Sequence, residues 1–155
     1  MSLFVKIIVC VLLCAGLGFA SGFSTINEIT GWYAGIEKPA WNPPNWIFSP
    51  VWTTLYILMG VAAGIIWHSN SEEKNKALLL FILQFLFNLA WSFIFFSQHR
   101  IGLAFAEIIV MFVLIVLTSI SFYRIKPVAA YLMIPYIIWV LFATCLNGAI
   151  WILNK

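Results

Sequence analysis

Of the 155 residues, 64% are apolar and only 8% are charged, whereas a soluble domain carries about 25% charged residues. The formal net charge of +3 is spread without a dense basic cluster, which speaks against a nucleic-acid partner and favours contact with the anionic headgroups of a lipid bilayer. A spanning helix needs about 20 apolar residues, so the expected fold class is all-α, an integral membrane bundle of five transmembrane helices in one domain over 1–155.

The first helix is expected at about 3–23. Lys6 ahead of an apolar run, with Gly18, Ala20, Ser21 and Gly22 following, leaves a cleaved signal peptide as the alternative reading. Cys14, Gly18 and Gly22 fall four residues apart and form a close-packing seam, and Gly60 and Gly64 form another. Either seam suits a homodimer or packing within one subunit.

A loop is expected over 24–45. Its second half belongs to the segment Trp32-Tyr33-x4-Lys38-Pro39-x-Trp41-Asn42-Pro43-Pro44-Asn45-Trp46-x3-Pro50-Val51-Trp52, whose written-out positions include five aromatic rings and four prolines. Proline locks φ and removes a donor, so this stretch is read as a stiff, non-helical cap up to Asn45, holding rings at the mouth of a bundle.

The second helix is expected at about 46–67, with Trp46 and Trp67 separated by a rise of about 31 Å and seated in the two interfacial belts. Trp52 falls inside the helix on one face with Phe48, Tyr56, Met59 and Ala63, either as a packing ring or as a pocket wall. The third helix, at about 77–97, presents Gln84, Asn88, Trp91 and Phe95 as a stripe with Ser92 beside it. Amides in a bilayer turn inward, to bond neighbouring helices or to meet a ligand. The fourth, at about 101–123, carries Glu107, the one acid within an expected span, read here as structural because of its shallow depth. The fifth, at about 128–153, contains Pro135 and then Tyr136, Trp139, Ala143, Leu146 and Asn147, where the small Ala143 makes room beside Trp139. Trp52, Trp139 and the Asn88 stripe together suit an apolar pocket for a flat ligand with few polar points.

For orientation, Lys6, Lys74, Lys76, Arg124 and Lys126 on one side against Lys38, Arg100 and Lys155 on the other slightly favour a cytoplasmic N-terminus. His68 and His99 follow different helices and emerge on opposite sides, so no metal site and no cofactor is expected. Cys10, Cys14 and Cys145 are read as small buried packing residues. No Walker motif, nucleophile elbow or carboxylate pair is present, which leaves ATP-driven pumping and hydrolysis without support.

Three ordered blocks carry a resemblance: the loop segment above continued through Leu55-Tyr56-x2-Met59-Gly60, then Asn88-x2-Trp91-x3-Phe95-Phe96, then Pro135-Tyr136-x2-Trp139-x2-Phe142-Ala143-x2-Leu146-Asn147-x3-Trp151. The chain resembles the TspO/MBR family, the tryptophan-rich sensory and translocator proteins, along nearly its whole length. The resemblance implies a five-helix bundle in the cell membrane, in a form that looks bacterial, with a pocket under the first loop. It implies that porphyrins such as protoporphyrin IX and isoquinoline carboxamide-type drugs are the ligands, in a sensing or regulatory role in tetrapyrrole or oxidative-stress metabolism, and that a homodimer forms. By motif position Trp52 and Trp139 look like the pocket tryptophans, and Tyr33, Pro43, Asn88, Trp91, Ser92, Ala143 and Leu146 like lining residues. The same resemblance opens an enzymatic alternative, light- and oxygen-dependent porphyrin degradation with Trp52 and Trp139 as its catalytic groups. A transporter of porphyrins or other apolar solutes is the third, although five helices with a single internal proline supply no inverted repeat. Lys38 is placed to pair with a propionate. Gly148 stands where the family's sterol-recognition pattern needs Tyr, so high-affinity cholesterol binding is not expected.

Overall fold

The computed structural model describes residues 1–155. It contains α1 (Leu3–Thr30), a single turn α2 (Trp32–Gly35), a 3₁₀ turn Asn45–Ile47 leading into α3 (Phe48–His68), α4 (Lys74–Ser92) prolonged by a π-helical turn Phe93–Ser97, α5 (Ile101–Ile125) and α6 (Pro127–Leu153), with no strand. Five of these segments, Leu3–Thr30, Asn45–His68, Lys74–Ser97, Ile101–Ile125 and Pro127–Leu153, are long and apolar enough to cross a membrane.

Two points correct the sequence reading: Trp32–Gly35, expected to be non-helical with the rest of the cap, forms the helical turn α2, and the first helix is longer than expected. α1 does not stop near residue 23 but runs on to Thr30, so residues 24–30 are helix rather than loop. Nothing between Ser24 and Thr30 breaks a helix, and the short polar side chains satisfy themselves locally. Ser24 Oγ donates to the Ser21 carbonyl at 2.9 Å and Thr30 Oγ1 to that of Asn27 at 3.4 Å. The helix ends at Gly31, whose N–H closes on the Asn27 carbonyl at 3.1 Å. At 28 residues α1 is about 42 Å long, so its last turns stand above a hydrocarbon layer of about 30 Å.

Only 35 of the 155 residues are buried, and the outer faces of the helices expose Leu12, Leu13, Leu79, Leu86, Val113 and Ile138. A surface so apolar belongs in lipid. Inside, Met59, Ile66, Ile108, Met111, Ile115, Phe122, Met133, Tyr136 and Val140 are buried almost completely and form the packed layer shared by α3, α5 and α6.

The tightest approach is between α1 and α3. A Cβ on Gly60 would lie 2.5 Å from Val11 Cα, and one on Gly64 would lie 2.6 Å from Ile7 Cα, so the two antiparallel backbones touch along this pair of glycines. Gly18 gives the same room to the Tyr56 ring. Both small-residue seams therefore pack the chain against itself, except that Gly22 has no atom within 4 Å of where its Cβ would be. Cys14 is buried as expected, whereas Cys145 is exposed on the outside of α6.

Between the helices runs a chain of buried hydrogen bonds. Tyr56 Oη donates to Asn88 Oδ1 at 3.1 Å, Asn88 Nδ2 donates to Tyr136 Oη at 2.8 Å, and Tyr136 Oη donates to Gln84 Oε1 at 2.8 Å. This ties α3, α4 and α6 together. Glu107 of α5 is also buried, and neither of its carboxyl oxygens has a protein partner.

Replacing Gly60 with Ala forces the α1 and α3 backbones apart and is expected to destabilise the protein by about 2 kcal/mol, read as a lower midpoint of thermal unfolding in detergent. Gly16→Ala, at a position with no atom within 4 Å of the added carbon, is the control and should leave the midpoint unchanged or raised.

Candidate functional site

Beneath α2 and the proline-rich loop lies a cavity of about 340 Å³. α1 supplies one wall through Gly18, Phe19, Gly22, Phe23, Thr25, Ile26 and Ile29, and α3 supplies Phe48, Ser49, Trp52 and Tyr56. Trp91, Ser92, Phe95 and Phe96 come from α4 and its π turn, and Trp139, Phe142, Ala143, Leu146, Asn147 and Ile150 from α6. Tyr33 closes the top. None of these residues is charged, and the volume lies in the ordinary range for small-molecule pockets, about 300–1,000 Å³.

The π turn explains how α4 aims four ring-bearing or polar residues at one space. Adding a residue to the turn keeps Trp91 and Phe95 stacked, with ring centres 5.1 Å apart, while Phe96 comes edge-on to both. Trp91 is then fixed by its indole N–H, which donates to Asn147 Oδ1 at 3.0 Å, and Asn147 Nδ2 donates to the Ile101 carbonyl at 3.0 Å. Trp52 stacks on Tyr56 at 5.6 Å, and Trp139 packs against Phe142 at 5.4 Å and edge-on to Phe48 at 6.1 Å. Rings held by other rings have few rotamers left, so the walls are set before any ligand arrives.

The cap is held by polar clasps. Tyr33 is 3% exposed, its hydroxyl donates to Asn42 Oδ1 at 2.9 Å, and its ring packs against Phe95 and Phe96. Lys38 Nζ donates to the carbonyls of Tyr33 at 2.7 Å and Ile36 at 2.9 Å and sits over the Tyr33 ring at 4.9 Å. The Glu37 backbone exchanges two hydrogen bonds with the Asn154 side chain at the end of α6. Across the mouth, Glu28 of α1 pairs with His99 at 2.9 Å, and Trp32 stacks on the His99 ring at 4.2 Å. His99 sits at φ 55°, in the left-handed region, where the chain reverses between α4 and α5.

Seven of the residues singled out in the sequence come together on this cavity: Tyr33, Trp52, Trp91, Ser92, Trp139, Ala143 and Leu146. Two do not. Asn88 is 3% exposed and lies off the wall, because both ends of its amide are engaged by Tyr56 and Tyr136. Pro43 is half-buried in the loop above, which reaches the rim instead through Trp41 on Phe142, at 5.8 Å, and through Asn42 on Tyr33. Lys38, expected to be free for a propionate, is held by its own loop. The α1 wall was missed because α1 was ended too early. Once the helix reaches Thr30, the spacing 18, 22, 25, 29 marks the face that lines the cavity. No three His, Cys, Asp or Glu side chains come together, and the cavity lining contains no His, Asp, Glu or Lys.

Burial pushes the Tyr33 hydroxyl, which lies outside the spanning segments, up to about 12. The folded state therefore holds its proton more tightly than the unfolded chain, and the stability this provides is full below the ordinary tyrosine value of about 10. It should fall as pH rises from about 10 to about 12, and Tyr33→Phe should flatten that part of the stability curve, as followed by thermal unfolding at stepped pH.

A sequence model of the TspO/MBR family matches residues 10–152. The tryptophan-rich protein TspO of Chlorobaculum tepidum is 40% identical over 149 residues, which cover 94% of this chain and 93% of that one. That of Archaeoglobus fulgidus is 36% identical, covering 96% and 97%, and the translocator protein of Homo sapiens is 37% identical over 123 residues, covering 77% and 73%. The family match spans all five membrane-crossing helices and the aromatic cavity between them, and the chain is thus an integral multi-pass membrane protein that belongs to the TspO/MBR family.

Proposed function

We propose that the protein binds a porphyrin or a similar flat, largely apolar molecule in this cavity and acts as a sensor or regulator through that binding. The observation that carries the reading is the uncharged aromatic cavity itself, whose walls include Trp52, Trp91 and Trp139 and whose cap is tied down over it. Indole faces stack on extended π systems, and walls already fixed by packing bind at a low ordering cost. The proposed contacts are Tyr33, Trp52, Trp91, Ser92, Trp139, Ala143 and Leu146. The name carried by a relative from Cereibacter sphaeroides, a tryptophan-rich sensory protein 38% identical over 116 residues, supports the sensing role. The chain covers 72% of that relative. Isoquinoline carboxamides suit the same space, being flat and aromatic. A homodimer remains part of this reading through lipid-facing surfaces, since the glycine seams are engaged within the subunit.

A second reading, oxidative breakdown of a photoexcited porphyrin under oxygen, is favoured by one observation, that Trp52 and Trp139 line the same cavity and are both oxidisable. Titrating protoporphyrin IX into purified protein, with tryptophan quenching in the dark and absorbance spectra under light, separates the two readings. Saturable binding is expected, weakened about 3- to 10-fold by Trp52→Phe or Trp139→Phe as a stacking contact is lost. A new absorbing product formed by the wild type and by neither variant marks the enzyme. Binding with no such product leaves the sensor, and absence of saturable binding overturns both.

A further inference from the structure

The geometry points to a second binding site, for an anionic phospholipid, in the groove between the end of α5 and the start of α6. An acyl chain lies along the groove and the phosphate sits at Arg124. The site is separate from the aromatic cavity and belongs to the other end of the bundle, the one that carries Lys6, Lys74 and Lys76.

The groove follows from the spacing of residues on two antiparallel helices. On α5, Val116, Ile120, Tyr123 and Arg124 fall at i, i+4, i+7 and i+8, which is one helical face. On α6 the facing row starts at Tyr131 and continues through Ile134 and Ile137. Between the rows the floor is made of the small residues Ser119 and Ala130, so the helices leave a channel of about 310 Å³. The Ser119 hydroxyl donates to the Ile115 carbonyl of its own helix at 2.8 Å, which leaves no free hydroxyl proton on the floor. Ile120 and Ile134 on the rims are exposed, so the channel is apolar along its length and open to the hydrocarbon. From Val116 to Arg124 it runs about 12 Å, most of the depth of one leaflet's hydrocarbon.

Polarity enters only at the top. Tyr123 and Tyr131 stand edge-on with ring centres 6.2 Å apart, both exposed, as amphipathic rings do at the level of the headgroups. Arg124 lies beside them in the last turn of α5, and Lys126 follows in the link to α6, both exposed. Neither is in an ion pair, since the salt bridge of this chain joins Glu28 to His99 at the opposite end. The acids of this side, Glu72 and Glu73, lie in the turn before α4 and pair with neither cation.

Unpaired cations above an apolar channel complement a molecule with an anionic head and a hydrocarbon tail, which is the form of an acidic phospholipid. Arginine adds geometry to charge, because its guanidinium fork matches two phosphate oxygens at once. A zwitterionic lipid fills the channel equally well but brings a cation of its own towards Arg124.

The test is native mass spectrometry of the purified full-length protein, released from detergent micelles that contain equal amounts of dioleoyl phosphatidylglycerol and dioleoyl phosphatidylcholine. The wild type should retain phosphatidylglycerol about 5-fold in preference to phosphatidylcholine. Arg124→Gln should abolish that preference. Lys76→Gln, which removes a cation of the same end that does not line the groove, should leave it unchanged. The thermal midpoint checks that both variants fold. Inorganic phosphate added in excess should not displace the lipid, because the channel holds its chain. A wild type without preference, an Arg124→Gln variant that keeps it, or equal loss in both variants would overturn the site, the last by showing only the diffuse attraction of a basic surface. Displacement by phosphate alone would overturn the role of the groove, and dimers retaining no phospholipid would assign it to a second copy of the chain instead.

Discussion

The Asn88 side chain is the constraint on which the bundle depends. In lipid, apolar helix faces gain little by leaving one hydrocarbon for another, so helices are held by close packing and by polar groups that have nowhere else to go. Asn88 accepts from Tyr56 and donates to Tyr136, and the Tyr136 hydroxyl in turn donates to Gln84 Oε1, so one amide sets the rotation of three helices. Tyr56 is thereby held against Trp52, and the floor of the cavity inherits its shape from a network that the cavity does not expose.

Above that floor the space exists because α1 diverges from α3. The backbones touch at Gly64 and Gly60, a ring separates them at Gly18, and at Gly22 an added Cβ would meet nothing of the neighbouring elements within 4 Å. Two helices in contact at one end and apart at the other enclose a wedge, which the aromatic residues of α4 and α6 line and the loop covers. The clasps around the mouth join elements distant in sequence, the loop's Glu37 to Asn154 and Glu28 of α1 to His99, so the cover is a product of the assembled bundle. Its lysine serves the loop's own backbone and leaves the interior uncharged.

A pocket built in this way offers shape and dispersion, with very few polar points on its walls. Aromatic walls locked by one another give a preformed surface at little entropic cost, which suits recognition of a rigid π system.

Much was legible in the chain itself. Apolar runs of spanning length identify five membrane helices, because the bilayer demands both a length and internal hydrogen bonding, and both are written in composition. Helical spacing found the faces that carry Trp52, Trp91 and Trp139. What spacing could not tell was whether a polar group on an inner face looks at a neighbour or at a ligand. Asn88 was as good a candidate as Ser92, and only the positions of Tyr56 and Tyr136 took its amide away from the cavity. Pro43, Lys38 and the α1 wall turn on the same point. Residue type and periodicity determined which side chains face inward, whereas tertiary structure decided which of them found partners there, because a hydrogen bond between helices depends on rotations and offsets that no single helix encodes.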